Sequence, residues 1–165
     1  MTGLRAGAAI FTARTVTAML RLMGRGATTL PGRAAIKICP DIISVLAKDQ
    51  IIITITGTNG KTTTTHMVSG MLETLGYTVI TNVSGANLAT GIATALIGGL
   101  RIRRQSEKAG KKTVCVIEAD EAAFSKVCGA LAPRICVVTN LFRDQLDRYG
   151  ELVHTQQFIA KGLDA

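Results

Sequence analysis

From residue 50 onward the chain alternates short apolar runs of strand length with longer stretches in which apolar residues recur three and four apart. The short runs predict strands at 51–56, 78–83, 113–118 and 134–139. The longer stretches predict helices at 61–75, 87–98 and 121–130, with helical character returning from about 143. Residues 101–112 hold Arg101, Arg103, Arg104, Lys108, Lys111 and Lys112 against Glu107 and read as a basic loop. Such β-α-β-α order predicts an α/β fold with a mostly parallel sheet and helices on both faces.

The first 49 residues differ in character and predict a short helical segment ahead of the α/β domain at 50–165. Between Leu4 and Met23, residues Phe11, Val16, Met19, Leu22 and Met23 fall on one broad apolar arc, with Arg14, Arg21 and Arg25 opposite. Gly24, Gly26, Pro31 and Gly32 punctuate the chain beyond that arc, and a shorter helical stretch from Ile36 to Leu46 is interrupted near Pro40. Phe158 to Ala165 carry no helix-stop signal, so the chain reads as cut rather than finished.

With 165 residues, 47% hydrophobic content and 18% charge, the chain is long and apolar enough to bury a sizeable core. Cys39, Cys115, Cys128 and Cys136 form no C-x-x-C pair, which suggests a reducing compartment and no zinc site within these residues. Arginines interrupt the N-terminal apolar stretch, so it reads neither as a spanning helix nor as a signal peptide, and the expected location is cytoplasmic. The net charge of +8 sits at the margins: residues 1–50 and 101–112 carry +5 each. Aromatic residues make up 4% of the chain, tryptophan is absent and no base-reading motif occurs, which argues against a nucleic-acid partner. The basic N-terminal face is either simply solvated or lies near anionic headgroups at the inner face of the membrane.

Three segments carry candidate chemistry, each directly after a strand. The first is Gly57-Thr58-Asn59-Gly60-Lys61-Thr62-Thr63, following the run Ile51–Thr56. Glycines let backbone N–H groups reach phosphate oxygens, a lysine adds a point charge, and Thr62 offers a hydroxyl for Mg²⁺. Ile55 stands where a longer phosphate loop has its first glycine, so this is a shortened variant, and ATP with Mg²⁺ is the expected ligand. The second segment is Val116-Ile117-Glu118-Ala119-Asp120-Glu121-Ala122. Glu118, still on its strand, is the candidate carboxylate for Mg²⁺, whereas Asp120 and Glu121 are equally explained as residues that favour the start of the next helix. In the third segment a strand ends at Thr139-Asn140, and Asp144 and Asp147 come next, interleaved with Arg143 and Arg148. Their spacing places both aspartates on one side of a helix, where the arginines can pair with them or with phosphate.

Taken together, TGTNGKTTT, VIEADEA and VVTNLFRDQLDRYGE resemble the central ATPase region of the Mur ligase family over residues 50–155. Ser84-Gly85-Ala86-Asn87-Leu88 with Thr90-Gly91-Ile92, an N-terminal part of only about 50 residues, and Gln145 in place of a metal-binding histidine are similar to the branch that supplies the ligase subunit of lipid II isoglutaminyl synthases. That resemblance implies ATP-dependent amidation of the α-carboxyl of D-glutamate in the lipid II stem peptide through an acyl phosphate. It also implies ammonia from a GatD-like glutamine amidotransferase subunit, and a zinc ribbon in a part of the family's chain outside this sequence. By the same resemblance Lys61 and Glu118 serve catalysis, and Gly57 to Thr63 with Asn140 hold nucleotide. Thr62 and Glu118 hold Mg²⁺, and Asn87, Asp120 and Asp144 face the substrate. The alternatives are another Mur-type amino-acid ligase, related to folylpolyglutamate synthase or cyanophycin synthetase, and a phosphate-loop module without ligase activity.

Overall fold

The computed structural model of the chain describes residues 2–82, 85–142 and 151–164. Among the described residues the elements run in the order α1 (Thr2–Leu22), α2 (Leu30–Ile38), α3 (Ile42–Ala47), β1 (Ile51–Thr56), α4 (Lys61–Thr74), β2 (Thr78–Thr81), α5 (Ala89–Lys108), β3 (Thr113–Glu118), α6 (Glu121–Leu131), β4 (Ile135–Val138) and α7 (Glu151–Leu163). The four strands form a parallel sheet in the order β2-β3-β1-β4. β1 is central, with Ile51 to Ile55 in register with Val114 to Glu118 on one side and Ile53 to Thr56 with Ile135 to Val138 on the other.

Strand alternation sends neighbouring residues to opposite faces, and the two faces are covered unequally. Ile51, Ile53, Ile55, Val114, Val116, Val79 and Val137 meet Val68 and Leu72 of α4. Ile52, Ile80, Cys115, Ile117 and Cys136 face the main core, built from α1, α2, α3, α5, α6 and α7. Phe124 and Leu131 of α6, Ile92 and Leu96 of α5, and Ile42 of α3 fill that core. Both faces of the sheet are thereby covered over the inner strands β1 and β3, whereas Ile135 and Val138 on the edge strand β4 stay exposed.

Two expectations are corrected. Residues 101–108 are not a loop: α5 continues through Lys108, because Ser106 turns inward to donate to Thr78 Oγ1 at 2.8 Å while the charged residues line the wet side, where Arg103 bonds Glu107 one turn on at 2.7 Å. The interruption expected near Pro40 is present: α2 starts earlier than Ile36, with Pro31 in its first turn, and the chain breaks at Cys39 to Asp41 before α3. The apolar arc assigned to the first helix is on its outside. Ala6, Ala9 and Ala13 are buried and Ile10 packs partly against the core, whereas Phe11, Met19, Leu22 and Met23 are exposed, because α1 packs closely on α2 through its alanine side.

Among the described residues no helix is long and apolar enough to cross a membrane. Asp144, Gln145, Asp147 and the arginines beside them lie outside the described residues, so the third candidate segment is described only as far as Phe142.

Candidate active site

The carboxyl ends of β1, β3 and β4 lie side by side, because β1 pairs with both of the others. Brought to that edge are the loop after β1, the carboxylates after β3 and the Thr139-Asn140 step after β4, which is where open parallel sheets place their ligands.

The loop after β1 owes its shape to β4. Gly57 has φ 125°, and a side chain there would run into Thr139 and Asn140, so glycine is required both by conformation and by the close approach of the two chains. Thr58 N–H donates to the Asn140 carbonyl at 3.0 Å, and Asn59 N–H to Asn140 Oδ1 at 2.9 Å. In return, Asn140 Nδ2 donates to the Asn59 carbonyl at 3.0 Å and Thr139 Oγ1 to the same carbonyl at 2.7 Å. Thr58 Oγ1 accepts from Phe142 N–H at 3.1 Å and lies 3.2 Å from the Phe142 carbonyl. Asn140, expected to hold nucleotide, spends both polar atoms of its carboxamide on the loop and acts as its clamp.

Gly60, at φ 81°, turns the chain into α4 without a side-chain cap. The first N–H groups of α4 are thus left for a ligand, at the helix end where the backbone dipole favours an anion. Lys61 opens that helix and folds back over the loop. Its Nζ donates to the Gly57 carbonyl, to the Thr58 carbonyl at 3.1 Å and to Glu121 Oε1 at 3.3 Å. Thr62, next along, donates its hydroxyl to Glu118 Oε2 at 2.9 Å, while Thr63 is exposed on the helix surface.

Glu118 is 4% exposed. Among the described residues no basic side chain forms an ion pair with it, and a carboxylate taken out of water without a cation is costly. The Thr62 hydroxyl and Glu118 together could hold a hard divalent cation. Among the described residues no cluster of three or more His, Cys, Asp or Glu side chains could hold one. Mg²⁺ keeps several waters and takes one or two carboxylates plus substrate phosphates.

The other two carboxylates separate into different roles. Asp120 caps α6, its Oδ1 accepting from Ala122 N–H at 3.0 Å, as its helix-start reading requires. Glu121 instead reaches across to Lys61. Asn87, the remaining described substrate-side candidate, lies beside this turn, with its backbone carbonyl accepting from Asp120 N–H at 3.0 Å.

Sequence reasoning missed Asn82. Buried at the end of β2, its Oδ1 accepts from Glu118 N–H at 2.9 Å, and its Nδ2 donates to the carbonyls of Glu118 at 2.9 Å and Ala86 at 3.0 Å. This one side chain ties the Glu118 backbone to the segment leading to Asn87. A polar residue closing an apolar strand was the only signal for it.

The family model of the Mur ligase middle domain matches residues 55–158. The chain is 45% identical over 141 residues to the Streptococcus pneumoniae protein named lipid II isoglutaminyl synthase (glutamine-hydrolyzing) subunit MurT, covering 86% of this chain and 30% of that one. It is 37% identical over 150 residues to the protein of the same name from Staphylococcus aureus strain COL, covering 90% of this chain and 32% of that one. The chain therefore spans about a third of the length of these relatives. In fold it is similar to MurF from Acinetobacter baumannii, with a TM-score of 0.61 and 17% identity, over 80% of this chain and 27% of the other. A parallel sheet with a glycine loop and Lys61 after β1, a buried carboxylate after β3 and a clamp after β4 thus meets a match over residues 55–158, and the chain belongs to the Mur ligase family.

Proposed function

We propose that this chain is the phosphate-binding part of an ATP-dependent ligase that converts the D-glutamate of the lipid II stem peptide to D-isoglutamine. The observation that carries the reading is the 2.9 Å hydrogen bond between Thr62 and the buried Glu118, formed beside Lys61 where the phosphate loop enters α4. The names of the relatives supply the substrate and the class of nitrogen donor.

In this mechanism the loop amides and the N-terminus of α4 bind the ATP phosphates, and Lys61 stabilises the charge that shifts during transfer. Thr62 and Glu118 hold Mg²⁺, which when bound neutralises phosphate charge and orients the transferring group. An oxygen of the substrate α-carboxylate attacks the γ-phosphorus, and the bond to the leaving ADP oxygen breaks. Ammonia then adds to the acyl carbon, phosphate leaves with the bonding pair, and the nitrogen loses a proton to give the amide. Free ammonia is scarce near neutral pH, so a GatD-like glutaminase partner would release it beside the acyl phosphate. Asn87, Asp120 and Asp144 are proposed to lie on the substrate side, the reaction is placed in the cytoplasm, and any zinc belongs to residues beyond this sequence.

The test is product analysis with the whole protein, lipid II, ATP and glutamine. Amidated lipid II, ADP and phosphate are expected only when the glutaminase is added, with partial activity recovered without it at high ammonium and raised pH. Joining an amino acid to the substrate, or indifference to both glutaminase and ammonium, overturns the reading.

A further inference from the structure

α1 has two apolar sides and only one of them is packed. Ala6, Ala9 and Ala13 face the core at 4%, 0% and 0% exposure. Directly opposite, at 3.6 residues per turn, Leu4, Phe11 and Leu22 fall on one line, and they are 86%, 73% and 89% exposed. Met19 and Met23, 61% and 64% exposed, widen that strip towards one side. Arg14 and Arg21 border it on one flank and Arg5 on the other, all three exposed. Residues 1–40 contain six basic residues and no Asp or Glu.

We propose that α1 lies in the plane of an anionic lipid surface, with Leu4, Phe11 and Leu22 entering the boundary between headgroups and acyl chains and the flanking arginines reaching lipid phosphates. A strip of large apolar residues bordered on both sides by long cationic side chains matches that boundary, because arginine stems run along apolar surface while their heads stay with the anions. The charge pattern selects lipid over other occupants. A second copy would set arginines against arginines, and a purely apolar protein groove would strip water from Arg14 and Arg21 without supplying counter-charges. α1 is not apolar enough to span the bilayer, which agrees with a helix lying on it.

The test uses the whole protein in flotation with vesicles of phosphatidylcholine mixed with phosphatidylglycerol, and with vesicles of phosphatidylcholine alone. Binding is expected to the mixed vesicles only, and to weaken as salt is raised. Phe11→Ser with Leu22→Ser should lower the bound fraction roughly tenfold, as should Arg14→Gln with Arg21→Gln. Both pairs are on the exposed side, so the thermal unfolding midpoint should stay unchanged. A polarity-sensitive dye on Phe11→Cys should shift to the blue only when mixed vesicles are added. Failure to float, flotation indifferent to both double variants, or a dye already blue-shifted without lipid overturns the proposal. The last result would mean that the strip is covered by protein. None of these readouts depends on ligase activity.

Discussion

Lys61 Nζ lies 3.3 Å from Glu121 Oε1 while also donating to the carbonyls of Gly57 and Thr58, so the loop holds its own lysine over the place where phosphate would sit. Both side chains are largely shielded, at 14% and 16% exposure. Glu121 is a local negative charge that an incoming polyphosphate must tolerate. Glu121→Gln should therefore tighten binding of a non-hydrolysable ATP analogue about fivefold, the effect of removing about 1 kcal/mol of repulsion. Titration calorimetry on the whole protein checks this, and weaker binding would make Glu121 a support for the site rather than a competitor.

Lys61→Ala should lower amidation on the order of 10²-fold or more, because it removes a fixed positive charge where phosphoryl charge shifts. Its partners at the loop are two carbonyls and one carboxylate, none of them part of the core, so the thermal midpoint should change little. Near-normal turnover by the folded variant would refute the phosphate-site assignment.

Glu118→Gln keeps the shape of a buried residue and deletes its charge, so activity should require a higher Mg²⁺ concentration. Asp120→Asn should leave that requirement unchanged, because asparagine also caps a helix. Asp120→Ala should cost about 1 kcal/mol of stability through the lost cap. A Mg²⁺ titration in which Asp120→Asn shifts more than Glu118→Gln would transfer the metal role to Asp120.

Asn82→Ala deletes three buried hydrogen bonds and strands the Glu118 N–H. The expected loss is about 2–4 kcal/mol in urea unfolding, with a raised Mg²⁺ requirement in the protein that remains folded. Loss of stability at an unchanged Mg²⁺ requirement would limit Asn82 to holding β2 against β3.

Burial pushes the Cys115 thiol up from 9.0 to about 11, against a smaller opposing pull from Arg103. Burial also raises Cys128, helped by the neighbouring Cys136. A thiol that ionises more readily in the unfolded chain favours unfolding once the pH exceeds its unfolded value. Stability should thus hold below about pH 9 and fall between about pH 9 and 11. Cys115→Ser, read by urea unfolding across that range, should flatten the decline.

The strand and loop at Ile51 to Gly60 could be read from the sequence because local signals agree there: an apolar run of strand length, glycines at two positive-φ positions, and a lysine at a helix start. The outward face of α1 could not. Hydrophobicity rises with side-chain size, whereas the tight approach of α1 to α2 selects alanines for burial and leaves Phe11 and Leu22 outside. The last turns of α5 are hidden from the sequence for a related reason: charge marks a wet surface and not a loop, and the inward anchor at that end is the small, polar Ser106. The assignment of Glu121 to Lys61 and of Asn82 to Glu118 arises from contacts spanning 60 and 36 positions, which no local pattern encodes.

Thr58 and Asn59 are bonded to Asn140 and Phe142 across more than 80 positions, and this bears on when the loop takes shape during synthesis. As the chain leaves the ribosome, β1 can pair with β3 once residue 118 has emerged, yet the loop after β1 still lacks its clamp. Only when β4 and the residues through Phe142 have emerged and closed against β1 do Gly57 to Gly60 acquire their final form. A nascent chain halted before residue 139 would thus carry every loop residue and still offer nucleotide no cradle, so ATP could reward only chains that have already completed this long-range closure.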